Sequence, residues 1–348
     1  MRFNSLHFRK AMGAALFVLL LSVAGLKNAL GQNQVATLQH NDSITDVFYG
    51  QNALVSAHSA AVAGDIITLS SGTFNKCDIT KGITIRGAGC VYDTLTNVMP
   101  TIISENFSLI SNDITFEGIS FSGTITSDTW MGLGGTHYNN NVHFVKCNVN
   151  AITTSHDYDN RRNWQIINCI ICDYSMSVFY DMSIINSVIR FTRYNHTEIY
   201  TPTTINNSIV LFDNGLTINN IIAHNSIIAT VSEHAVTNCT FFNCIGIETG
   251  ETSLFEGQIA QNVMEVDSYD DVFETFAGIM TYDNSYQLKD EIATTFLGND
   301  GTEVGVYGGM RPYDPRPTYM RMKRCDVAPR STIDGKLSVD IEILTDGQ

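Results

Sequence analysis

The sequence predicts an all-β fold, a solenoid of stacked parallel strands, on two observations. The first is a repeated hexapeptide: "IINCII" from Ile166, "IINSVI" from Ile184, "INNSIV" from Ile205, "AHNSII" from Ala223 and "VTNCTF" from Val236. Each places an asparagine third, then Cys or Ser, then mainly apolar residues. Asn168, Asn186, Asn207, Asn225 and Asn238 follow one another at spacings of 18, 21, 18 and 13. A beat near 20 residues is the mark of coils stacked one on the next. The second observation is the composition: 44% hydrophobic against 16% charged, which supports a large ordered core and excludes disorder.

The repeated slot also takes Lys146, Gly118 and Gly87 upstream. Asn and Gly enter the left-handed backbone region most easily, and a β-branched residue there is strained. The slot is therefore a sharp bend between two strands of one coil. Stacked about 4.8 Å apart, its asparagines are expected to pass amide hydrogen bonds up the column. The next position is small throughout: Cys147, Cys169, Ser187, Ser208, Ser226, Cys239. Two residues on stand Val149, Ile171, Ile189, Val210, Ile228 and Phe241. Period two puts both columns on one face, read as inward.

The elements before the repeats follow in order. Residues 1–31 read as a signal peptide. Arg2, Arg9 and Lys10 precede the apolar run Ala11–Leu26, and Ala29 and Gly31 supply small residues for cleavage. The chain is thus expected to be exported to the periplasm, cell surface or medium, with no membrane insertion after cleavage. Its net charge of −15 becomes −19 once Arg2, Arg9, Lys10 and Lys27 leave, so a nucleic-acid partner is not expected. Residues 51–63 suit a short helix capping the open end of the stack. "DIITL" and "GITIRG" are strands of the first coils, and the solenoid is assigned to 32–310. Residues 311–348 hold four of the six prolines and read as an extended arm, with a half-exposed edge strand around Leu337, Val339 and Ile341.

Helix, then "AGDIITLSSGTF", then "KGITIRGAG" resembles the start of secreted right-handed parallel β-helix proteins, the pectin-lyase-like superfamily. "YQLKDEIATTFLGNDGTEVGVYGG" (286–309) resembles the segment that closes such β-helices in secreted proteins of Bacteroidetes. The resemblance covers roughly residues 44–310 and implies a fold more than an activity, since the superfamily holds lyases, hydrolases, epimerases and adhesins. Its polygalacturonase-like enzymes carry Asn-Thr-Asp, Gly-His-Gly and Arg-Ile-Lys tripeptides, and none occurs here. Asp270–Asp271, the one Asp-Asp pair, sits in an acidic run that reads as solvated surface. No catalytic residue, metal site or cofactor is assigned.

The candidate ligand residues are His156, Asp157, Asp159, Arg161, Arg162, Arg190, Arg193 and His196, which coil counting places along one edge, together with Trp130 in the glycine-rich excursion "SDTWMGLGGTHYNN". Arginines grip carboxylates in bidentate fashion, and aromatic rings stack on sugars. The expected function is binding of an extracellular polysaccharide or glycan without catalysis. Polysaccharide lyase or glycoside hydrolase activity is the first alternative and an adhesin-like rod the second. The eight cysteines show no metal spacing. Cys147 and Cys169, one coil apart, are read as small buried thiols, with an inter-coil disulfide left open.

Overall fold

A computed structural model of the chain describes residues 34–127, 130–131, 135–136, 139–154, 161–177, 179–195, 202–213, 216–230, 235–248, 253–317, 321–327 and 339–344. Two long sheets of parallel strands wind as a β-solenoid of about 8 turns. In the first sheet, parallel strands run in sequence order from Ile66–Leu69 to Ile259–Gln261. In the second they run from Gly72–Phe74 to Met264–Val266. Short strand pairs, Arg161–Arg162 with Phe179–Tyr180 and Thr217–Asn219 with Ala235–Thr237, mark a third side. Among the described residues no helix is long and apolar enough to cross a membrane.

Registration is residue on residue. One inward column of the first sheet reads Ile85, Phe116, Phe144, Ile166, Ile184, Ile205, Ala223, Phe241. Phe116 and Phe144 stack at 5.3 Å between centroids, an offset geometry that adds to their area burial. The facing column of the second sheet reads Phe121, Val149, Ile171, Ile189, Val210, Ile228, Gly246. Glycine stands in that column because Phe255 fills the space: a Cβ on Gly246 would lie 3.0 Å from its ring. The helix Ala53–Ala60 buries Ala53, Leu54 and Ala57 against the first strands. Lys81 closes the helix by donating to the carbonyls of His58, Ser59 and Ala61.

The bend slot has left-handed backbone at Gly118, Lys146, Asn168, Asn186, Asn207 and Asn225, with φ between 44° and 65°. Three expectations need correction. Gly87 does not share that conformation; it is small because a Cβ would meet the Gly118 carbonyl oxygen at 2.5 Å. Asn238 belongs to a second left-handed column, entering the first sheet, with Asp113, Asn141, Asn163, Asp181 and Asn220. The true successors of Asn225 are Asn243 and Asn262, so the anomalous spacing of 13 becomes 18 and then 19. The amide ladder also lies in the second column, where Asn163 donates to Asn141 at 2.8 Å and Asn141 to Asp113 at 2.6 Å.

The small column has a polar role. The backbone N–H groups of Cys147, Cys169, Ser187 and Ser208 donate to the Sγ or Oγ one coil on, at 3.0 to 3.3 Å. Each of those hydroxyls or thiols donates to the carbonyl two residues back, as Ser187 does to Ile185 at 2.8 Å. Ser and Cys are interchangeable there because both are small and both donate and accept. Cys244, not Cys239, continues this column, while Cys239 repeats the device in the second one with Gln258 as acceptor. Cys77, Cys90, Cys147, Cys169, Cys172, Cys239 and Cys244 are free thiols.

The coils stop at Val266. Residues 272–306 then cross the outer face of the second sheet and bury Ile170, Val188, Ile209, Leu211, Ile227, Ala229, Ile245 and Ile247 under Phe273, Phe276, Tyr286, Leu288, Val304 and Val306. Strands Ile209–Phe212, Ile227–Thr230 and Ile245–Glu248 are thereby buried on both faces, which explains why apolar residues do not alternate with polar ones at their starts. Beyond this cover, residues 297–317 descend the bend column as a strap. Asn243 donates to Leu297, Asn225 to Asn299, and Asn186 to Val306 and Gly308. Asn168 accepts from the Asp314 backbone, and Lys146 donates to Arg316. The expected edge strand, Val339–Leu344, pairs with Arg321–Val327 in an antiparallel hairpin of its own and joins neither long sheet.

Candidate functional site

The strands Ser120–Ser127, Asn148–Thr154, Ile170–Ser177 and Val188–Asn195 are longer than those that follow. Their second halves run past the apolar cover. Register shifts interrupt these pairs between Val149 and Ala151 and around Tyr174, a device that re-aims side chains on a sheet. On the far side of the shifts, Ile125, Ile152 and Tyr174 point into the core. Thr126, Thr153 and Ser175 alternate with them and lie half-buried on the outer face, one per coil, in register with the backbone of Arg193. The row presents a hydroxyl about every 4.8 Å.

Charged groups stand beside the row. Arg190 donates from Nε to Asp213 Oδ1 at 2.7 Å and from Nη2 to Oδ2 at 3.0 Å, a bidentate pair whose side chains are 43% and 27% exposed. That hydrogen bonding raises the arginine's pKa further, so the cation is fixed. The Thr192 hydroxyl donates to the Asp173 carboxylate one coil back. Tyr269 borders the cluster. Its ring packs edge-on against Phe276 at 5.4 Å, and Gly278, at φ 85°, leaves it room where a Cβ would come within 2.6 Å. Burial pushes its hydroxyl up to about 12, with the Asp213 charge acting in the same direction and Arg190 opposing, so it is a neutral donor and acceptor at physiological pH.

The expected site residues that the structure describes take different directions. Arg161 is fully buried, with Nε donating to Ser127 Oγ at 2.9 Å, so it presents no guanidinium to a surface ligand. Its neighbour Arg162 is exposed on the third side of the coil. Arg190 lies on the outer face of the second sheet, already engaged by Asp213. Arg193 shares that strand. Trp130 lies in a short antiparallel pair, Trp130–Met131 with Gly135–Thr136. His156, Asp157, Asp159 and His196 lie outside the described residues. Asp173, Thr192, Asp213 and Tyr269 were not anticipated. The signal available was register: Asp173 and Thr192 take outward positions on neighbouring coils of aligned repeats.

Among the described residues no three His, Cys, Asp or Glu side chains converge as a metal centre. A depression of about 520 Å³ near the first coils, between Gly64, Gly82 and Asp113, holds a single carboxylate, and that is bonded to Asn141. It offers no pair of groups for chemistry. No protein-family model matches the chain, and a search of curated proteins finds no similar sequence.

Proposed function

We propose that the chain is an exported β-helix protein of the pectin-lyase-like, Bacteroidetes type, and that it binds an extracellular polysaccharide on the outer face of its second sheet without cleaving it. The observation that carries this reading is the in-register row Thr126, Thr153, Ser175 beside Asp173, Arg190–Asp213 and Tyr269. A rigid row of acceptors and donors at a constant spacing suits a polymer whose hydroxyls also repeat. Asp173 and Asp213 accept from sugar hydroxyls, and Tyr269 supplies an apolar edge. The arginine here is neutralised by its own carboxylate, and the chain carries −15, so neutral sugars are favoured over uronates.

The test is a glycan array of neutral and uronic polysaccharides probed with residues 32–348, with mass-spectrometric analysis of products. Weak binding to neutral glycans is expected, lost in Ser175→Lys, which raises a long side chain across the row, and weakened in Tyr269→Ala. Binding untouched by both substitutions would move the site elsewhere. New reducing or unsaturated ends would overturn the non-catalytic reading in favour of a hydrolase or lyase.

A further inference from the structure

The strand Ser43–Tyr49 ends the first sheet: it pairs with Val35–His40 on one side and with nothing described on the other. A bare strand edge is a template for another strand, and proteins blunt such edges with Lys, Pro or strong twist. This one carries neither Lys nor Pro. It has one bulge: Asp46 faces Leu38 while Ile44 faces Gln39, so Thr45 is the extra residue. The bulge brings Ile44 onto the same face as Val47 and Tyr49. All three are well exposed, at 65%, 45% and 63%. The stretch from Asn41 to Gly50 carries Asp42 and Asp46 and no base.

The hairpin strand Arg321–Val327 is the complementary object. It pairs only with Val339–Leu344, so its other edge is also bare among the described residues. It carries Arg321, Lys323 and Arg324 against one acid, Asp326, in a chain whose net charge is −15. It too is bulged once, at Lys323, between Met322 and Arg324. The two bulges match. An antiparallel register that sets Val47 opposite Met322 sets Ile44 opposite Cys325, with Asp46 and Thr45 facing Lys323 and Arg324 between them. Apolar positions meet apolar ones, the acid meets two bases, and both extra residues fall within the same interval. A two-stranded hairpin alone is marginal in water, so a third strand stabilises it.

We infer that the Arg321–Val327 edge of one copy docks on the Ser43–Tyr49 edge of a second copy, joining copies through two different edges. A heterologous contact of this kind leaves one free edge of each type and extends into open chains. The experiment is sedimentation equilibrium of residues 32–348 across the micromolar range. The wild type is expected to form dimers and longer species with rising concentration, less so at high salt. Val47→Pro, which blocks the edge, and a chain ending at Pro317 are each expected to stay monomeric alone and to form a 1:1 complex when mixed, since each keeps the surface the other lacks. Arg324→Glu should weaken assembly and Asp46→Arg restore it in the double variant, a readout that a folding defect does not mimic. A wild type monomeric throughout, whether its hairpin is free or docked on its own chain, overturns the proposal. So does assembly that survives Val47→Pro.

Discussion

Replacing Asn186 by glycine isolates what the bend column contributes. Asn186 sits at φ 44°, a conformation glycine adopts without strain, so the backbone is kept. What is lost is the side-chain amide, which donates to Val306 at 3.0 Å and Gly308 at 2.8 Å in a site only 3% exposed. Two hydrogen bonds at about 1 kcal/mol each, plus the cost of leaving two carbonyls less satisfied, give a loss of about 2–4 kcal/mol. Asn186→Val adds about 1–3 kcal/mol, because a β-branched residue is forced into the left-handed region. The control is Asn262→Gly, at φ 51° in the same column but exposed at the last coil, where a change within about 0.5 kcal/mol is expected. Denaturant unfolding followed by circular dichroism measures all three. Hydrogen exchange of residues 302–309 localises the effect, and those amides should lose protection in both Asn186 variants but not in Asn262→Gly. Equal destabilisation by Asn186→Gly and Asn262→Gly would refute the strap argument. Equal effects of Gly and Val at position 186 would refute the bend argument.

Gly308→Ala should detach the strap, since a Cβ would lie 1.8 Å from the Glu303 carbonyl oxygen and 2.9 Å from Asn207 Nδ2; raised protease sensitivity between Gly298 and Pro317 checks it. Ser187→Ala should cost about 1–3 kcal/mol by orphaning the buried Cys169 N–H, whereas Ser187→Cys should cost less than about 1, and unfolding midpoints separate the two. His58 accepts the Thr80 N–H at Nε2, and burial, then Lys81, lower its pKa below 6.5. The unfolded chain therefore binds the proton more readily. The stabilisation is full above pH 6.5 and is lost as pH falls through the lowered value, so melting temperature should drop more steeply below pH 6.5 in wild type than in His58→Gln.

The solenoid was legible because its bends need left-handed residues at a fixed beat, and asparagine writes that requirement into the sequence. The same economy hid the second column. Asn238-Cys239 and Asn243-Cys244 are both Asn-Cys pairs five residues apart, and composition cannot say which bend either serves. Cross-strand register decides it. The strap was illegible for another reason: the bend column meets it mainly through backbone groups of residues 297–316, which carry no side-chain signature. The apolar residues that cover the second sheet are visible as residues, but period two assigns the runs at Ile209, Ile227 and Ile245 one inward face only. Counting along a coil locates a residue in sequence, not the direction of its side chain. Arg161 turns into the core to reach Ser127, and Arg190 turns outward to Asp213.

The in-register stack that creates the outward row is tested most directly by a distance across it. Thr126 and Arg193 are three coils apart in one register, through Thr153 and Ser175. At about 4.8 Å per coil their backbones should lie roughly 14 Å apart. Spin labels at these two positions, read by continuous-wave electron paramagnetic resonance, are predicted to show strong dipolar broadening, with weaker broadening than a Thr153–Ser175 pair on adjacent coils. Absence of broadening between Thr126 and Arg193, or an equal signal from both pairs, would contradict the stack and the ligand surface built on it.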